Sequence, residues 1–170
     1  THMGHPFRMR PQFYENTGSG RMAEAEFVGD YFETPVLGRS VATIDWNGDG
    51  RCDVVVTHLD STVALLTNRT LQAGSTSTFT LIGTSAARDA VGGSAGWASA
   101  AGPAAWRMAG DGYQCSNEPV LRLVQKAGSS NDGGVTVTWP GSRIHSVGPV
   151  SVGKQYGVVE GRPFAYELPR

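Results

Sequence analysis

The stretch of the chain with the clearest chemistry places oxygen-bearing side chains at alternate positions. Asp45, Asn47 and Asp49 alternate with other residues, Gly50 follows, and Asp53 stands four residues after Asp49. A hard cation such as Ca²⁺ takes about six to eight oxygen ligands at roughly 2.3–2.6 Å, and a short loop supplies them by such alternation. The spacing therefore predicts a calcium-binding loop.

The position of each residue in this loop predicts its role. The first, third and fifth positions give side-chain oxygens, the seventh gives a backbone carbonyl, and the ninth gives a further carboxylate or a water contact. The predicted metal ligands are therefore Asp45, Asn47, Asp49, Arg51 and Asp53. Mg²⁺ fits less well because it prefers a tighter octahedral site and keeps its waters. The alternative is a plain turn, since Asp, Asn and Gly favour turns everywhere.

The flanks of the loop indicate which kind of calcium site this is. Residues 40–44 and 54–57 are rich in β-branched side chains and are typical of strands. An EF-hand would have helices on both sides and a bidentate Glu at the twelfth position, where this sequence has Val56. The sequence predicts a strand–loop–strand site.

The composition favours a turn-rich, all-β protein. Of the 170 residues, 39% are hydrophobic, only 17% are charged and 23 are glycine. With 14 basic and 15 acidic residues, the formal net charge is -1, which gives no reason to expect nucleic acid or an anionic membrane as a partner. No apolar run approaches the roughly 18–20 residues that span a bilayer, so we expect no membrane span.

The region around the loop resembles a known repeat. Residues 38–45 and 53–56 resemble one FG-GAP or VCBS repeat, the blade unit of integrin-type β-propellers, and residues 13–18 are similar to the strand and turn that open such a repeat. Members of that family usually have several blades, whereas this chain has room for one.

The rest of the chain resembles an ASPIC/UnbV domain, which has no agreed biochemical role. The resemblance is carried by residues 81–92, 110–114, 135–141 and 158–161. Residues 124–134 depart from the short, regular stretch that is usual there, which suggests a remodelled loop.

These resemblances imply a domain organisation and a location. We expect an extended arm at 1–12, the repeat with its calcium loop at 13–70, a linker at 71–78 and the second domain at 79–170. The expected fold is all-β, with one propeller-blade-like unit packed on a β-sandwich-like C-terminal domain. The pairing is known from secreted and cell-surface proteins, so the resemblance implies an extracellular protein.

An extracellular setting bears on two further features. Cys52 and Cys115 are predicted to form a disulfide there, whereas two small buried thiols are the alternative in a reducing compartment. Asn68 begins an Asn-Arg-Thr sequon, which predicts a glycosylation site if the chain meets the secretory machinery.

The sequence contains no convincing catalytic motif. Residues 92–96 match G-x-S-x-G, but this pattern needs a following helix, and none is predicted, so we interpret it as close packing in a glycine-rich strand. The four histidines lack metal-binding spacing. We therefore predict that the protein is not an enzyme.

Aromatic residues leave a binding function open, because sugar rings stack on flat aromatic faces and core packing is the alternative. The candidates for glycan stacking are Trp97, Trp106, Tyr113 and Trp139.

Two functional hypotheses follow. The first is a secreted, calcium-stabilised structural or adhesion protein that binds copies of itself. Its N-terminal arm, with Phe7 and Met9 as anchors, would add a strand to a neighbouring copy and build a filament. The alternative is a carbohydrate-binding module of a larger secreted protein, with glycans as ligands.

Overall fold

The computed structural model describes residues 7–26, 28–71, 74–99, 105–125 and 133–169. These residues form thirteen short β-strands and one 3₁₀ helix, Asp30–Glu33. The prediction of an all-β fold is confirmed. In the described part of the chain, no helix is long and apolar enough to cross a membrane.

The predicted calcium loop lies in a three-stranded antiparallel sheet, which we call the blade sheet. Its strands are β3 (Gly38–Ile44), β4 (Asp53–His58) and β5 (Ala64–Leu66), in the order β3-β4-β5. Ile44 pairs with Asp53 and closes the loop between β3 and β4. The predicted strand–loop–strand setting is therefore confirmed.

A small hairpin precedes the blade sheet. β1 (Tyr14–Gly18) and β2 (Arg21–Glu24) are antiparallel and exposed along their whole length. Ser19 and Gly20 both have positive φ, as expected of a tight turn between two strands.

The larger part of the chain forms two four-stranded sheets. The first has the order β13-β12-β6-β9, in which β12 runs parallel to β6, and the second has the order β11-β10-β7-β8. The strands of the first are β6 (Ser75–Ile82), β9 (Leu121–Gln125), β12 (Gln155–Val159) and β13 (Ala165–Leu168). Those of the second are β7 (Ser94–Trp97), β8 (Ala105–Trp106), β10 (Val135–Trp139) and β11 (Arg143–Val147).

Both four-stranded sheets contribute alternate residues to one buried hydrophobic core. On β10, Val135, Val137 and Trp139 alternate inward, as the period of two in a strand requires. Phe79 of the first sheet is completely buried and packs edge-to-face on Trp97 of the second, with ring centroids 6.1 Å apart. The two sheets thus form a β-sandwich, as predicted for the C-terminal region.

The predicted linker is too long. Strand β6 begins at Ser75, inside the segment 71–78 that was expected to connect the two units. Its residues pair with β9, since Ser75 lies opposite Gln125 and Ser77 opposite Leu123. Ser and Thr at this start of the strand resemble linker composition, and only the tertiary pairing identifies them as strand.

One segment of the sandwich region lies along the outer edge of β3, and we call residues 111–118 the edge segment. Asn117 Oδ1 accepts the N–H of Thr43 at 2.7 Å, and the N–H of Glu118 donates to the Thr43 carbonyl at 3.0 Å. Glu118 Oε2 also accepts the N–H of Asp45 at 3.1 Å. These bonds attach the blade sheet to the sandwich.

The described part of the N-terminal arm, residues 7–12, pairs with its own chain. Met9 and Val36 exchange two backbone hydrogen bonds of 3.2 and 3.0 Å. Arg8 forms an ion pair with Asp60, and Arg10 Nε donates to the Phe32 carbonyl at 3.1 Å. Residues 1–6 of the predicted arm lie outside the described residues.

Candidate metal centre and the other predicted sites

The loop between β3 and β4 is folded around the Asp45 carboxylate. Asp45 Oδ1 accepts the N–H of Asp49 at 3.0 Å, and Oδ2 accepts the N–H of Gly50 at 2.9 Å. Gly48 and Gly50 have φ of 70° and 83°, a region that L side chains rarely adopt. The sharp turn predicted at Gly50 is therefore present.

Side-chain oxygens of the predicted ligands converge on one point of the loop. The N–H of Asp49 is shared by Asp45 Oδ1 at 3.0 Å and by Asn47 Oδ1 at 3.1 Å, so these two oxygens are at most about 6 Å apart. Asn47 Nδ2 in turn donates to Asp49 Oδ2 at 2.9 Å. Two oxygens that share one Ca²⁺ lie within about 5 Å of each other, which is close to this upper limit.

Asp49 is held in its charged form by its neighbours. The N–H of Arg51 donates to Asp49 Oδ1 at 2.8 Å and, as the largest effect, lowers the pKa of the Asp49 carboxyl. The Asn47 amide and the Arg51 guanidinium, 2.5 Å from Asp49 Oδ2, lower this pKa further. The Arg51 side chain thus supplies the positive charge next to a predicted metal ligand.

Asp53 ties the loop to the rest of the blade sheet. Its side chain is completely buried, with Oδ1 accepting the N–H of Asn68 at 2.7 Å and Oδ2 accepting that of Trp46 at 3.2 Å. A carboxylate has about four lone-pair sites, so these bonds leave acceptor capacity on both oxygens. The link to Asn68 was not foreseen from sequence, because the two residues are fifteen positions apart.

The donor chemistry of the loop suits a hard cation. Within the described ranges, no three or more His, Cys, Asp or Glu side chains are grouped so that they could hold a metal ion. The closest grouping in the loop is instead two carboxylates and an amide, from Asp45, Asn47 and Asp49. These donors are all oxygens, as Ca²⁺ prefers, and the residues present therefore fit that ion.

The predicted disulfide is absent, because Cys52 and Cys115 are both free thiols. Cys115 Sγ lies 2.9 Å from the Val41 carbonyl, and Val41 pairs with Val56 on β4. Cys52 lies just before β4 and four positions from Val56, which is roughly 13 Å at the rise of a β-strand. Such a separation is too large for a disulfide without movement of the backbone.

The sequon asparagine is half-buried and forms several hydrogen bonds. Asn68 Nδ2, the atom that would carry a glycan, donates to the Cys52 carbonyl at 3.3 Å. Asn68 Oδ1 accepts the N–H of Thr70 at 3.0 Å and its hydroxyl at 2.7 Å. The sequon asparagine thus also stabilises the end of the loop between β3 and β4.

The four aromatic candidates for glycan stacking differ in how far their side chains are exposed. Trp139 lies in the sandwich core with 2% of its surface exposed, so its ring is not accessible to a sugar and that prediction is wrong. Trp97 is half-buried against Phe79. Trp106 and Tyr113 are each 62% exposed, and the Arg39 guanidinium lies over the Tyr113 ring, 4.8 Å from its centroid.

The G-x-S-x-G pattern lies on strand β7. Ser94 is buried and pairs with Thr138 on β10 and with Trp106 on β8. The pattern is therefore part of the sandwich, as its interpretation as a glycine-rich strand predicts.

A buried carboxylate in the sandwich was not identified from sequence. Glu160 Oε2 accepts the N–H groups of Thr84, Ser85 and Ala86 at 2.9, 2.8 and 2.8 Å, and the Arg143 guanidinium lies 2.7 Å from Oε1. The backbone N–H groups, that of Ala86 foremost, lower the pKa of Glu160 to about 2. No local sequence pattern indicates this arrangement, since the partners are about 75 residues apart.

Comparisons with known proteins identify no relative. No protein-family model matches the sequence, and no curated protein is significantly similar to it. The resemblances to the FG-GAP or VCBS repeat and to the ASPIC/UnbV domain therefore stay predictions.

Proposed function

We propose that this protein is an extracellular structural or adhesion protein whose blade sheet is stabilised by Ca²⁺ bound in the loop between β3 and β4. The observation that carries the proposal is the convergence of Asp45 and Asn47 oxygens on the N–H of Asp49. Loops that bind Ca²⁺ at about 10⁻⁴–10⁻³ M operate at extracellular calcium levels, which is the reason for the proposed location.

The charge balance of the loop supports a bound cation. Three carboxylates, those of Asp45, Asp49 and Asp53, belong to this loop, and the described contacts give them one cationic neighbour, Arg51. In the proposed site the side chains of Asp45, Asn47 and Asp49 bind the ion, with the Arg51 carbonyl and Asp53 completing the set. The Arg51 guanidinium would then yield its place at Asp49 Oδ2 to the ion.

Calcium-dependent melting tests this part of the proposal. An ion that binds only the folded chain stabilises it by about 2.7 kcal/mol at a hundredfold excess over Kd. We expect chelation to lower the melting temperature, and Asp49→Asn to abolish the response to calcium. Asp89→Asn, an exposed carboxylate in a turn far along the chain, is the control and should keep the response. An unchanged melting temperature on chelation would show that the loop is an ordinary turn that binds no calcium.

We propose that copies of the chain assemble through the blade sheet. Val41 and Ile44 of β3 are 51% and 36% exposed, and since they are three positions apart they point to opposite faces. Neither belongs to the sandwich core. A sheet with apolar side chains open on both faces is covered by a neighbour on each side, and repetition of such a contact builds a filament.

The arm offers a second contact between copies. Its two backbone bonds from Met9 to Val36 have the same geometry whether Val36 belongs to the same chain or to a neighbour, which is the basis of domain swapping. Light scattering and electron microscopy would compare the full chain with one that begins at Phe13. We expect the shortened chain to lose large particles, and monomers in both samples would contradict assembly.

A second candidate function is a carbohydrate-binding module within a larger extracellular protein. The observation that favours it is the exposure of Trp106 and Tyr113, each 62% accessible although both are large aromatic residues. A glycan array tests this function directly.

A further inference from the structure

A small polar cavity lies where the edge segment meets the sandwich. It has a volume of about 120 Å³, and Trp106, Thr43, Asp111, Asn117, Glu118 and Arg122 are among the residues that line it. These residues come from β3, β8, β9 and the edge segment. The cavity is thus built from both the blade sheet and the sandwich.

Trp106 provides an accessible aromatic side chain beside this cavity. It is on β8, where it pairs with Ser94 of β7, its one strand partner among the described residues, and it is 62% exposed. The face of an indole ring carries negative charge density and is apolar. It therefore suits the C–H groups on one face of a pyranose ring, which carry partial positive charge.

The polar wall of the cavity is fixed in position before any ligand binds. Asp111 accepts the Asn117 N–H at Oδ1, at 3.2 Å, and its side-chain amide at Oδ2, at 2.7 Å. These bonds, that of the Asn117 amide foremost, lower the pKa of Asp111, so it is charged. Asn117 is itself held by the N–H of Thr43. A preorganised acceptor of this kind binds a hydroxyl group without having to be ordered first.

The other side of the cavity contains a hydrogen-bond donor with no partner in the described residues. Arg122 forms an ion pair with Glu118, but its Nε is buried and donates to no described atom. Because the Nε atom itself is enclosed by protein, a ligand would meet Arg122 through the part of its side chain that lines the cavity.

The charges of the cavity indicate the class of ligand. Asp111 and Glu118 are balanced by Arg107 and Arg122, so the lining residues carry no net formal charge. A site with both donors and acceptors and no net charge suits a neutral ligand that has both, and vicinal hydroxyl groups of a sugar meet this requirement.

From these observations we propose that the cavity binds one neutral pyranose ring, which stacks on Trp106 and places hydroxyl groups between the Asp111 and Arg122 side chains. The proposal rests on the second candidate function above. Because small-molecule pockets usually measure about 300–1,000 Å³, this cavity takes one edge of a sugar and leaves the rest of a glycan in solvent.

The test combines a glycan array with calorimetry on the full chain. The array would compare the wild-type chain, Trp106→Ala and Tyr166→Ala, the last being an exposed aromatic on β13 in the other sheet. The best hit would then be titrated against each variant. We expect a neutral glycan to bind the wild type, Trp106→Ala to weaken binding about tenfold, and Tyr166→Ala to leave it unchanged.

Asp111→Asn keeps the volume of the side chain and removes its charge, and it provides a second variant. We expect weaker binding of the same glycan, with the near-UV circular dichroism of the folded chain preserved. If a glycan binds equally to wild type, Trp106→Ala and Asp111→Asn, the carbohydrate function stands and this site is wrong. Binding only of acidic glycans overturns the neutral ligand class. If no glycan binds, both the function and the site fail.

Discussion

The sandwich and the blade sheet differ in how they use hydrophobic residues. In the sandwich, Phe79, Val135 and Val158 are completely buried in one core to which both sheets contribute. In the blade sheet, Val56 is the only apolar residue of β3, β4 and β5 that is buried. The other apolar side chains of these three strands are half-buried or exposed. The sandwich is stabilised by its own hydrophobic core. The blade sheet is stabilised mainly by hydrogen bonds of its loop and of the edge segment.

The two regions also differ in how they hold a carboxylate. Glu160 in the sandwich has three backbone N–H groups on one oxygen and the Arg143 guanidinium beside the other, and these groups stabilise its charge. In the loop of the blade sheet, Asp49 is paired with the Arg51 guanidinium, whereas Asp45 and Asp53 accept only backbone N–H groups in the described contacts. Charge compensation thus comes from several partners in the sandwich and from fewer cationic partners in the loop, where we propose that Ca²⁺ binds.

The largest expected effect is on the sandwich core. Phe79→Ala leaves a cavity between the two sheets, and we expect a loss of about 3–5 kcal/mol in the free energy of unfolding. Val41→Ala, on an exposed position of the blade sheet, should cost less than about 1 kcal/mol. Urea denaturation measures both. Equal effects would show that the blade sheet is packed as tightly as the sandwich.

We expect calcium to stabilise the blade sheet more than the sandwich. We expect a hundredfold excess over Kd to add about 2.7 kcal/mol of stability. Hydrogen exchange should slow in β3 and β4, next to the loop, more than in β10 or β12. Uniform slowing across the chain would mean that the two regions unfold as one unit.

We expect low pH to destabilise the sandwich because it protonates Glu160. The pKa of this group is lowered from the ordinary value of 4.5 to about 2 in the folded chain. Its stabilising contribution is therefore present above about pH 4.5 and is lost as the pH falls through about 2. We expect Glu160→Gln to melt several degrees below the wild type at pH 7, with the difference shrinking below pH 4.5. Glu167→Gln, which removes only an exposed pair with Lys154, is the control. A difference that is constant with pH would contradict the role of the charge.

The smallest expected effect is on the backbone of the loop. Gly50 has a φ of 83°, and Gly50→Ala should cost about 1–2 kcal/mol through strain. Gly38→Ala, on β3 with open space around the added methyl group, is the matched control and should be nearly neutral. Thermal melting of the calcium-free chains measures both, and equal melting temperatures would show that the loop relaxes around the new side chain.

Sequence patterns predicted those elements whose signals are local. The strands predicted at residues 40–44 and 54–57 are present as β3 and β4, because β-branched residues cluster there. The loop between β3 and β4 was predicted from spacing alone.

The edge strands β11 and β13 were not predicted, because they are short and lack an apolar run, and Ile144 and Tyr166 are exposed where a buried side chain would mark a strand. The contacts of Glu160 and of Asn117 join residues about 75 positions apart, and no local pattern encodes them. The disulfide prediction failed for the same reason, since the register of β3 on β4 sets how far Cys52 lies from the Val41 carbonyl that Cys115 contacts.

The edge segment has a consequence for how copies of the chain can associate. Because Thr43 already exchanges hydrogen bonds with Asn117 and Glu118, this part of the outer edge of β3 cannot recruit a further strand. Association through the faces of the blade sheet buries side chains, so it is a hydrophobic contact. Such contacts weaken on cooling and strengthen in kosmotropic salts such as sulfate. A filament held in this way would therefore dissolve in the cold and reform on warming.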